Sequence, residues 1–239
     1  LNQGLFDVRT PDSGLLIYTR RIGGPRDDDP GRAAEIDLAL KLNGSVLGLD
    51  YGVLAAQEAE HADAVGSRFV AQRLLRARGD LSVGYLGTFA DRPFLDREAQ
   101  VHALDATWRA GERWTLTTQA IASDIALPGR DKHGSGAWAR IDYTPDPNLR
   151  QELELTHFGA GLDFNDMGFQ RRASLNEAEW TLQRQQSVDD ESSALRNKSW
   201  TLELQARSND SGDRLPLVFI GNRSWGFRDG AELSLDPYV

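Results

Sequence analysis

The sequence predicts an all-β protein, an antiparallel up-and-down β-barrel of outer-membrane type or most of one. Apolar residues occupy every second position between Glu35 and Asn43, and the same alternation recurs along the chain. Side chains on a strand point alternately to opposite faces, so one face suits apolar surroundings and the other suits water. About a dozen segments share the pattern, each roughly 8–12 residues long, which fits a tilted membrane-spanning strand better than the average globular strand.

The expected strands follow one another as hairpins joined by turn-forming residues. Four tight turns are expected, at Asn43-Gly44, Gly79-Asp80, 110–113 and 145–148. The expected strands cover 15–21, 34–43, 45–56, 68–78, 81–89, 100–109, 114–123, 136–143, 149–158, 175–185, 199–207, 217–220 and 231–235.

Longer connections are expected between the hairpins. Outer-membrane barrels have short turns at one end and long loops at the other, and a soluble up-and-down barrel can show the same asymmetry. Only the stretch 55–64 has real helix propensity, and it lies where a loop is expected. The long connections are predicted at 23–33, 58–67, 90–99, 124–135, 159–173 and 188–198.

The composition excludes several classes of protein. The chain has 239 residues, and its net charge of −9 argues against nucleic acid as a partner, which would need a basic face. The absence of cysteine excludes disulfides and thiolate chemistry. No run of about 18 apolar residues predicts a membrane-spanning helix, although membrane strands need no such run. Because the chain begins at Leu1 without methionine, we expect a processed product or an excised segment of a longer chain. No shift in composition marks a boundary, so residues 1–239 are expected to form a single β-barrel domain.

The two faces of the expected sheet have different characters. Mixed charges on the polar face fit a wet barrel lumen with internal ion pairs, or equally the surface of a soluble sandwich. Glycines at 48, 52 and 84 favour the lumen, because crowded barrel interiors use glycine. The aromatic residues expected in girdles at strand ends are Tyr18, Trp108, Trp114, Trp138, Tyr143, Trp180 and Trp200. The polar residues expected in the lumen are Glu35, Asp37, Lys41, Asp50, Arg76, Arg140, Glu152 and Glu154.

Four stretches resemble a known bacterial family. They are 15–23 (LLIYTRRIG), 70–89, 105–109 (DATWR) and 163–172 (DFNDMGFQRR). Together they resemble the C-terminal barrel domain of the family of unknown function DUF5916, which often follows a carbohydrate-binding family 9-like module. The resemblance implies a link to glycans and supplies no catalytic residue. The chain departs from the pattern in two ways. No such module precedes Leu1, and the C-terminal residues 236–239 (DPYV) do not end in the aromatic residue that outer-membrane barrels commonly carry as an assembly signal.

The block 164–172 is the sharpest local feature. Two phenylalanines flank a turn-prone centre in a long loop, and two arginines follow it. Paired aromatics around a turn usually anchor it by burial, which favours docking of the loop into the barrel mouth over contact with a ligand. The arginines would then pair with lumen carboxylates. These candidates are Phe164, Asn165, Asp166, Phe169, Arg171 and Arg172.

Catalytic and metal sites have weak support in the sequence. The four histidines lack ligand spacing. Glu152 and Glu154 have the separation of a glycosidase pair, but such pairs arise by chance in an acidic chain. Asp27-Asp28-Asp29 and 209–213 (NDSGD) offer oxygen ligands without matching a full calcium loop, so solvated turns are favoured. We expect no catalytic residue and no metal site, with calcium as the one candidate cofactor.

The leading functional hypothesis is a Gram-negative outer-membrane protein acting in transport, anchoring or display. Its expected partners are outer-membrane lipid and, from the resemblance, a glycan or an N-terminal carbohydrate-binding module. The alternative is a soluble all-β domain that binds or processes carbohydrate. A third hypothesis is a structural scaffold whose lumen is plugged and conducts nothing.

Overall fold

The computed structural model describes residues 4–61 and 64–237, and twelve β-strands form within them. Two short 3-10 helices lie at Thr19–Arg21 and Pro93–Leu95. Among the described residues, no helix has the length and apolarity needed to cross a membrane. The strands are β1 (Ile36–Val46), β2 (Leu49–Glu58), β3 (Arg68–Arg78), β4 (Leu81–Arg92), β5 (Arg97–Ala110), β6 (Trp114–Leu127), β7 (Arg130–Asp146), β8 (Leu149–Phe158), β9 (Leu175–Ser187), β10 (Leu195–Ser208), β11 (Val218–Phe227) and β12 (Glu232–Leu235).

All twelve strands belong to one up-and-down sheet in which their spatial order is their order along the chain. Each strand is therefore hydrogen-bonded to the strands before and after it, and no pairing of β1 with β12 closes the sheet within the described residues. The predicted all-β, antiparallel, up-and-down architecture is confirmed, in the form of an open sheet.

The chain divides into two compact units. Unit 1 contains Leu1–Thr107, Thr118–Trp138 and Phe158–Ser174, and unit 2 contains Trp108–Thr117, Ala139–His157 and Leu175–Val239. Strands β5 to β8 each contribute residues to both units.

The expected first strand, 15–21, is absent. Leu15 instead forms isolated bridges with Arg9 and Phe169, and Thr19–Arg21 is a 3-10 helix. Leu16 and Ile17 are almost fully buried, at 0% and 6% exposure, so this apolar run belongs to an irregular segment that packs into a core. A short apolar run does not distinguish a strand from such a segment.

The first hairpin turns four residues later than expected. Leu47 and Gly48 form its turn, both with positive φ, at 51° and 76°. Two consecutive positive φ angles are what a two-residue hairpin turn needs, and glycine adopts them without strain. Gly44 lies within β1 opposite Tyr51, so the prediction of a turn at Asn43-Gly44 was wrong.

The expected loop at 124–135 was also wrong. Strands β6 and β7 continue through it to a two-residue turn at Pro128-Gly129. Burial still alternates from residue to residue in this part of β6, since Ser123 and Ile125 are buried while Asp124 is exposed. The expected loop at 90–99 shrinks to the 3-10 helix Pro93–Leu95 with Asp96, whereas 159–174 remains a long connection.

In unit 1 the N-terminal segment, residues 4–35, covers one face of the sheet. A Cβ on Gly52 would lie 2.9 Å from side-chain carbons of Leu5 and Phe6, so glycine is what lets the segment approach β2. The Nζ of Lys41 lies 5.8 Å from the centre of the Phe6 ring, on the same face. The segment and the sheet therefore share a core on this side.

The opposite face of β1 in unit 1 is apolar and exposed. On β1, Leu38, Leu40 and Leu42 are 67%, 58% and 54% exposed. Their partners across the β1–β2 pair include Ala55 and Val53, so the apolar surface continues onto the next strand. A soluble β-protein buries its apolar face; in unit 1 that arrangement is inverted along these strands.

Unit 2 shows the same inversion in its own strands. Leu153 and Leu155 of β8 are 37% and 50% exposed, whereas Glu152 and Glu154 on the alternate positions form ion pairs. Leu204 of β10 is exposed, and the adjacent Gln205 is buried. In these strands of unit 2 the polar side chains are the more enclosed ones.

Aromatic side chains mark one end of the strands in unit 2. Trp108 and Trp114 are half exposed beside the 111–113 turn, and the ring of Tyr143 stacks on Trp114 with centroids 4.1 Å apart. Trp200 and Trp225 lie near the turns at 188–194 and 228–231.

Three members of the expected girdles lie elsewhere. Tyr18 belongs to the N-terminal segment, and Trp180 lies in the middle of β9. Trp138 is buried and donates from Nε1 to Oε1 of Gln119 at 2.9 Å. A tryptophan with an internal acceptor suits the enclosed face, and alternation alone does not reveal that acceptor.

Candidate functional site

The loop 159–174 of unit 1 forms its own hydrogen-bonded scaffold. The backbone and side-chain amides of Asn165 each donate to Oδ1 of Asp163 at 3.1 Å. The Oδ1 of Asn165 in turn accepts from the Gln170 backbone at 2.9 Å. Phe164 is 1% exposed and Phe169 is 39% exposed, so one aromatic anchors the loop while the other stays at its surface.

The N-terminal segment pairs with this loop through the backbone. Leu15 and Phe169 exchange two hydrogen bonds, at 2.9 and 2.7 Å, and the Tyr18 amide donates to the Met167 carbonyl at 2.8 Å. The Tyr18 and Phe169 rings are 6.1 Å apart. The two segments, remote in sequence, therefore form one ordered layer in unit 1.

A charged cluster lies beneath that layer. Arg97 donates to both carboxylate oxygens of Asp166, at 2.8 and 2.7 Å, and reaches Asp163 at 3.2 Å. Arg92 donates to Asp166 at 3.2 Å and to both oxygens of Asp27. We call these five residues, Asp27, Arg92, Arg97, Asp163 and Asp166, the clasp. It joins the N-terminal segment, β4, β5 and the loop.

The clasp is enclosed enough for its pairing to matter. The side chain of Asp166 is 4% exposed, and those of Arg97 and Asp27 are 17% and 11% exposed. A carboxylate at such depth needs its partners, because an unpaired buried charge is strongly unfavourable. Two guanidiniums that share Asp166 supply that compensation.

The prediction that the arginines at the end of the loop pair with enclosed carboxylates was wrong. Arg171 does pair with a carboxylate, Asp12, at 2.9 Å, but it is 56% exposed and holds the N-terminal segment from outside. Arg172 is exposed at the end of the loop. The arginines of the clasp are Arg92 and Arg97. Both lie within 90–99, which the sequence pattern assigned to a loop, and no local pattern in the sequence identified them as partners of Asp166.

The expected lumen residues of unit 1 are distributed unevenly. Lys41 and Asp50 lie on the enclosed face of the β1–β2 pair. Glu35 is exposed just before β1, and Asp37 is exposed at a β-bulge between Ile36 and Leu38. Neither belongs to the clasp.

Arg76 was placed on the wrong face. It lies opposite Leu49 and Val83, on the apolar exposed side. The inward arginine of β3 is Arg73, which is 4% exposed and donates to Asp105 at 2.5 and 2.9 Å. Its guanidinium occupies the space that a Cβ on Gly84 would fill. The face follows from counting in twos from Val70 and Leu74.

In unit 2 the three remaining lumen candidates form a ladder. Arg140 donates to Glu154 at 2.9 and 2.5 Å and lies 3.3 Å from Glu152. Arg150 joins Glu152, at 2.7 Å, to Asp142. Each glutamate is therefore held by a guanidinium, which suits a structural ion-pair network better than the acid and base of a glycosidase.

The histidines and acidic turns make local contacts. His102, His133 and His157 bind Tyr85, Asp124 and Asn176 at 2.8, 2.6 and 2.6 Å. Within residues 4–61 and 64–237 no group of three or more His, Asp or Glu is arranged to hold a metal ion.

The two candidate calcium segments bind within the chain. Asp27 and Asp28 pair with Arg92 and Arg26, and Asn209 and Asp213 bind each other at 2.8 Å. Positive side chains already neutralise the first segment, and the second closes on itself as a turn.

A small, open pocket of about 20 Å³ lies beside the clasp in unit 1. Glu58, His61 and Phe94 line it together with Asp27 and Asp28. Glu58 is 8% exposed, and its Oε1 accepts from the Gly23 amide at 2.8 Å, which ties β2 to the N-terminal segment. The pocket is thus a product of the same docking that builds the clasp.

No family model and no curated protein sequence matches the chain. The resemblance to the DUF5916 barrel domain therefore rests on the quoted residues alone.

The clasp predicts energetic coupling between Arg97 and Asp166. We expect Arg97→Gln and Asp166→Asn each to lower the free energy of unfolding, and the double variant to lose about 1–3 kcal/mol less than the sum, because both changes remove the same enclosed pair. Urea unfolding of the four proteins measures the coupling. The exposed pair Arg171–Asp12 is the matched control and should couple by less than about 1 kcal/mol. Additive effects at Arg97 and Asp166 would contradict the clasp.

Asp163 predicts an acid-sensitive loop. Burial pushes the pKa of Asp163 upward, but hydrogen bonds from Asn165 and the charges of Lys132 and Arg97 outweigh it, so the pKa lies below its ordinary value. Its ionised form therefore stabilises the fold above the unfolded pKa of about 3.9, and that contribution is lost as pH falls through the folded value. We expect Asp163→Asn to flatten the decline of unfolding free energy below about pH 4. Equal slopes for variant and wild type would refute this role.

Proposed function

We propose that the chain is a β-barrel module of the bacterial outer membrane that serves in anchoring or display. Transport of a polar solute requires displacement of the N-terminal segment. The resemblance to DUF5916 adds a glycan to the proposal. The glycan would bind either in the polar interior or on an N-terminal carbohydrate-binding module.

One observation carries the proposal, the inverted sheet. Apolar side chains such as Leu40 in unit 1 and Leu155 in unit 2 are exposed, while Glu154, next to Leu155, is paired with Arg140. Water makes a continuous apolar surface unfavourable at about 25 cal/mol per Å², whereas lipid acyl chains do not. The same alternation, apolar out and polar in, characterises membrane barrels.

The aromatic residues of unit 2 support a membrane boundary. Trp108 and Trp114 lie on exposed positions close to a tight turn, and the ring of Tyr143 stacks on Trp114. Tryptophan and tyrosine favour the headgroup level, where an apolar ring meets water and polar lipid groups. This boundary would place the short turns just outside the acyl region.

The N-terminal segment supports anchoring over free conduction. It covers the Gly52 side of β2 and is held by the clasp through Asp27. If that side faces a barrel interior, the segment obstructs it.

The proposal predicts outer-membrane assembly. Expressed behind a signal peptide, the wild-type chain should fractionate with the outer membrane and shift in gel migration on heating. Leu40→Arg should lower the free energy of unfolding from lipid vesicles by about 2–4 kcal/mol, because the new charge would lie in the acyl region.

Leu47→Arg provides the matched control for Leu40→Arg. Leu47 is 94% exposed in the β1–β2 turn, so its replacement should change stability by less than about 0.5 kcal/mol. In a soluble protein both exposed leucines would tolerate arginine equally. Equal tolerance, or recovery of a soluble protein without a heat shift, would overturn the membrane proposal.

Occlusion by the N-terminal segment predicts a closed state. In a planar bilayer the wild-type protein should show no steady conductance. The double variant Arg92→Gln/Arg97→Gln should produce conductance steps, because it removes the arginines by which β4 and β5 hold Asp27 and Asp166. Arg171→Gln, which breaks only an exposed pair, should remain closed. An open wild-type channel would contradict the anchoring proposal, and a silent double variant would contradict the role of the clasp.

A further inference from the structure

Three cations and two tryptophans gather on one face of β9, β10 and β11 in unit 2. Direct strand pairing places Arg184 opposite Trp200, and Trp200 opposite Arg223. In the next row toward the turns, Lys198 lies opposite Trp225. We call these five residues the basic–aromatic patch.

The patch continues the apolar surface of the same strands. The next row away from the turns pairs Leu182 with Leu202, and the row after that pairs Trp180 with Leu204. Moving along the strands, the surface therefore changes from apolar rows to rows of cations and tryptophans. That sequence of layers is expected where acyl chains give way to headgroups.

The cations of the patch differ from three other arginines of the unit. Arg140, Arg150 and Arg207 all form ion pairs with carboxylates on the alternate positions. Within the described residues, neither Arg184, Lys198 nor Arg223 makes a salt bridge.

The paired rows of the patch contain no carboxylate. The Arg223 guanidinium lies 4.7 Å from the Trp225 ring centre, and all three cations are exposed. The row partners on β12 are Leu235 and Leu233, while the acidic residues of this end, such as Asp190 and Asp229, lie in the turns. In a chain of net charge −9, three exposed cations without carboxylate partners form a local excess of positive charge.

We propose that the basic–aromatic patch binds the phosphate headgroups of anionic phospholipids in the leaflet beside these turns. This inference rests on the proposed membrane function. Guanidinium and ammonium groups donate to phosphate oxygens, and long basic side chains reach from an apolar surface to the headgroup level. Lys and Arg near an anionic membrane surface each add to lipid binding, and the tryptophans fix the depth of the face.

Lipid-selective quenching of tryptophan tests the proposal. The protein is assembled in vesicles that mix phosphatidylcholine with phosphatidylglycerol, and only one of the two lipids carries brominated acyl chains in each sample. Trp200 and Trp225 lie in the patch, so bromine on a bound lipid quenches them. For wild type we expect quenching to report roughly a fivefold or greater enrichment of phosphatidylglycerol, falling toward none at high salt.

The decisive variant is Arg184→Gln/Lys198→Gln/Arg223→Gln, which should abolish the enrichment. Arg184→Lys/Arg223→Lys keeps the three charges and should retain most of it. If the triple variant fails to assemble, Lys198→Gln alone should lower the enrichment measurably, and the salt dependence of wild type tests the proposal without any variant.

A second control removes three charges elsewhere. Arg130, Arg172 and Arg214 are exposed and lie outside the patch, so their replacement by glutamine should leave the enrichment unchanged. This variant separates the patch from a general effect of net charge.

Three results would overturn the inference. Equal quenching of wild type by both lipids, or enrichment that survives in the triple variant, refutes lipid selection by the patch while leaving membrane insertion intact. Folded protein that neither lipid quenches refutes the membrane function itself, and the patch proposal with it.

Discussion

The structure depends on one constraint, that apolar side chains occupy the exposed positions of strands such as β1 and β8. Every second residue of β1 is thereby committed outward, and Lys41 between the leucines must be accommodated on the enclosed side. Charged groups on that side lose water, so they persist only with partners. Arg73 with Asp105 in unit 1 and Arg140 with Glu154 in unit 2 meet that need. The ion pairs are a consequence of the inversion, and they are local to each unit.

The clasp extends the same logic from strands to loops. Asp166 comes from a long connection and Asp27 from the N-terminal segment, so neither has a strand neighbour to neutralise it. Arg92 and Arg97, on the two sides of a 3-10 helix, reach both. Burial of Leu16 and Phe164 stabilises the layer that the N-terminal segment forms with the loop 159–174, but it does not fix a particular alignment. The bidentate arginines fix the alignment, because they bind two particular carboxylates, Asp27 and Asp166. The position of the N-terminal segment is therefore set by charge geometry as well as by burial.

The alternation of apolar and polar residues predicted most strands, but it did not predict the first hairpin turn or the clasp. The bounds of β3 and β8 agree with the expected 68–78 and 149–158, because alternation and flanking turns coincide there. The first hairpin turn was mistaken because Asn43-Gly44 is a favoured turn pair, yet the ladder continues to Leu47-Gly48. The clasp was missed because its partners are far apart in sequence, and no local pattern indicates which arginine will face Asp166.

The enclosed face also explains where glycine is used. Gly84 makes room for the Arg73 guanidinium, and Gly52 makes room for Leu5 and Phe6 of the N-terminal segment. Any larger residue at either position would displace an ion pair or a docked segment, so the two glycines shape the space that charge and burial then fill. The sequence indicated crowding at both positions through glycine in a strand, although it did not indicate the occupants. Space, charge and alternation thus act together, and the apolar outer face is what makes each of them necessary.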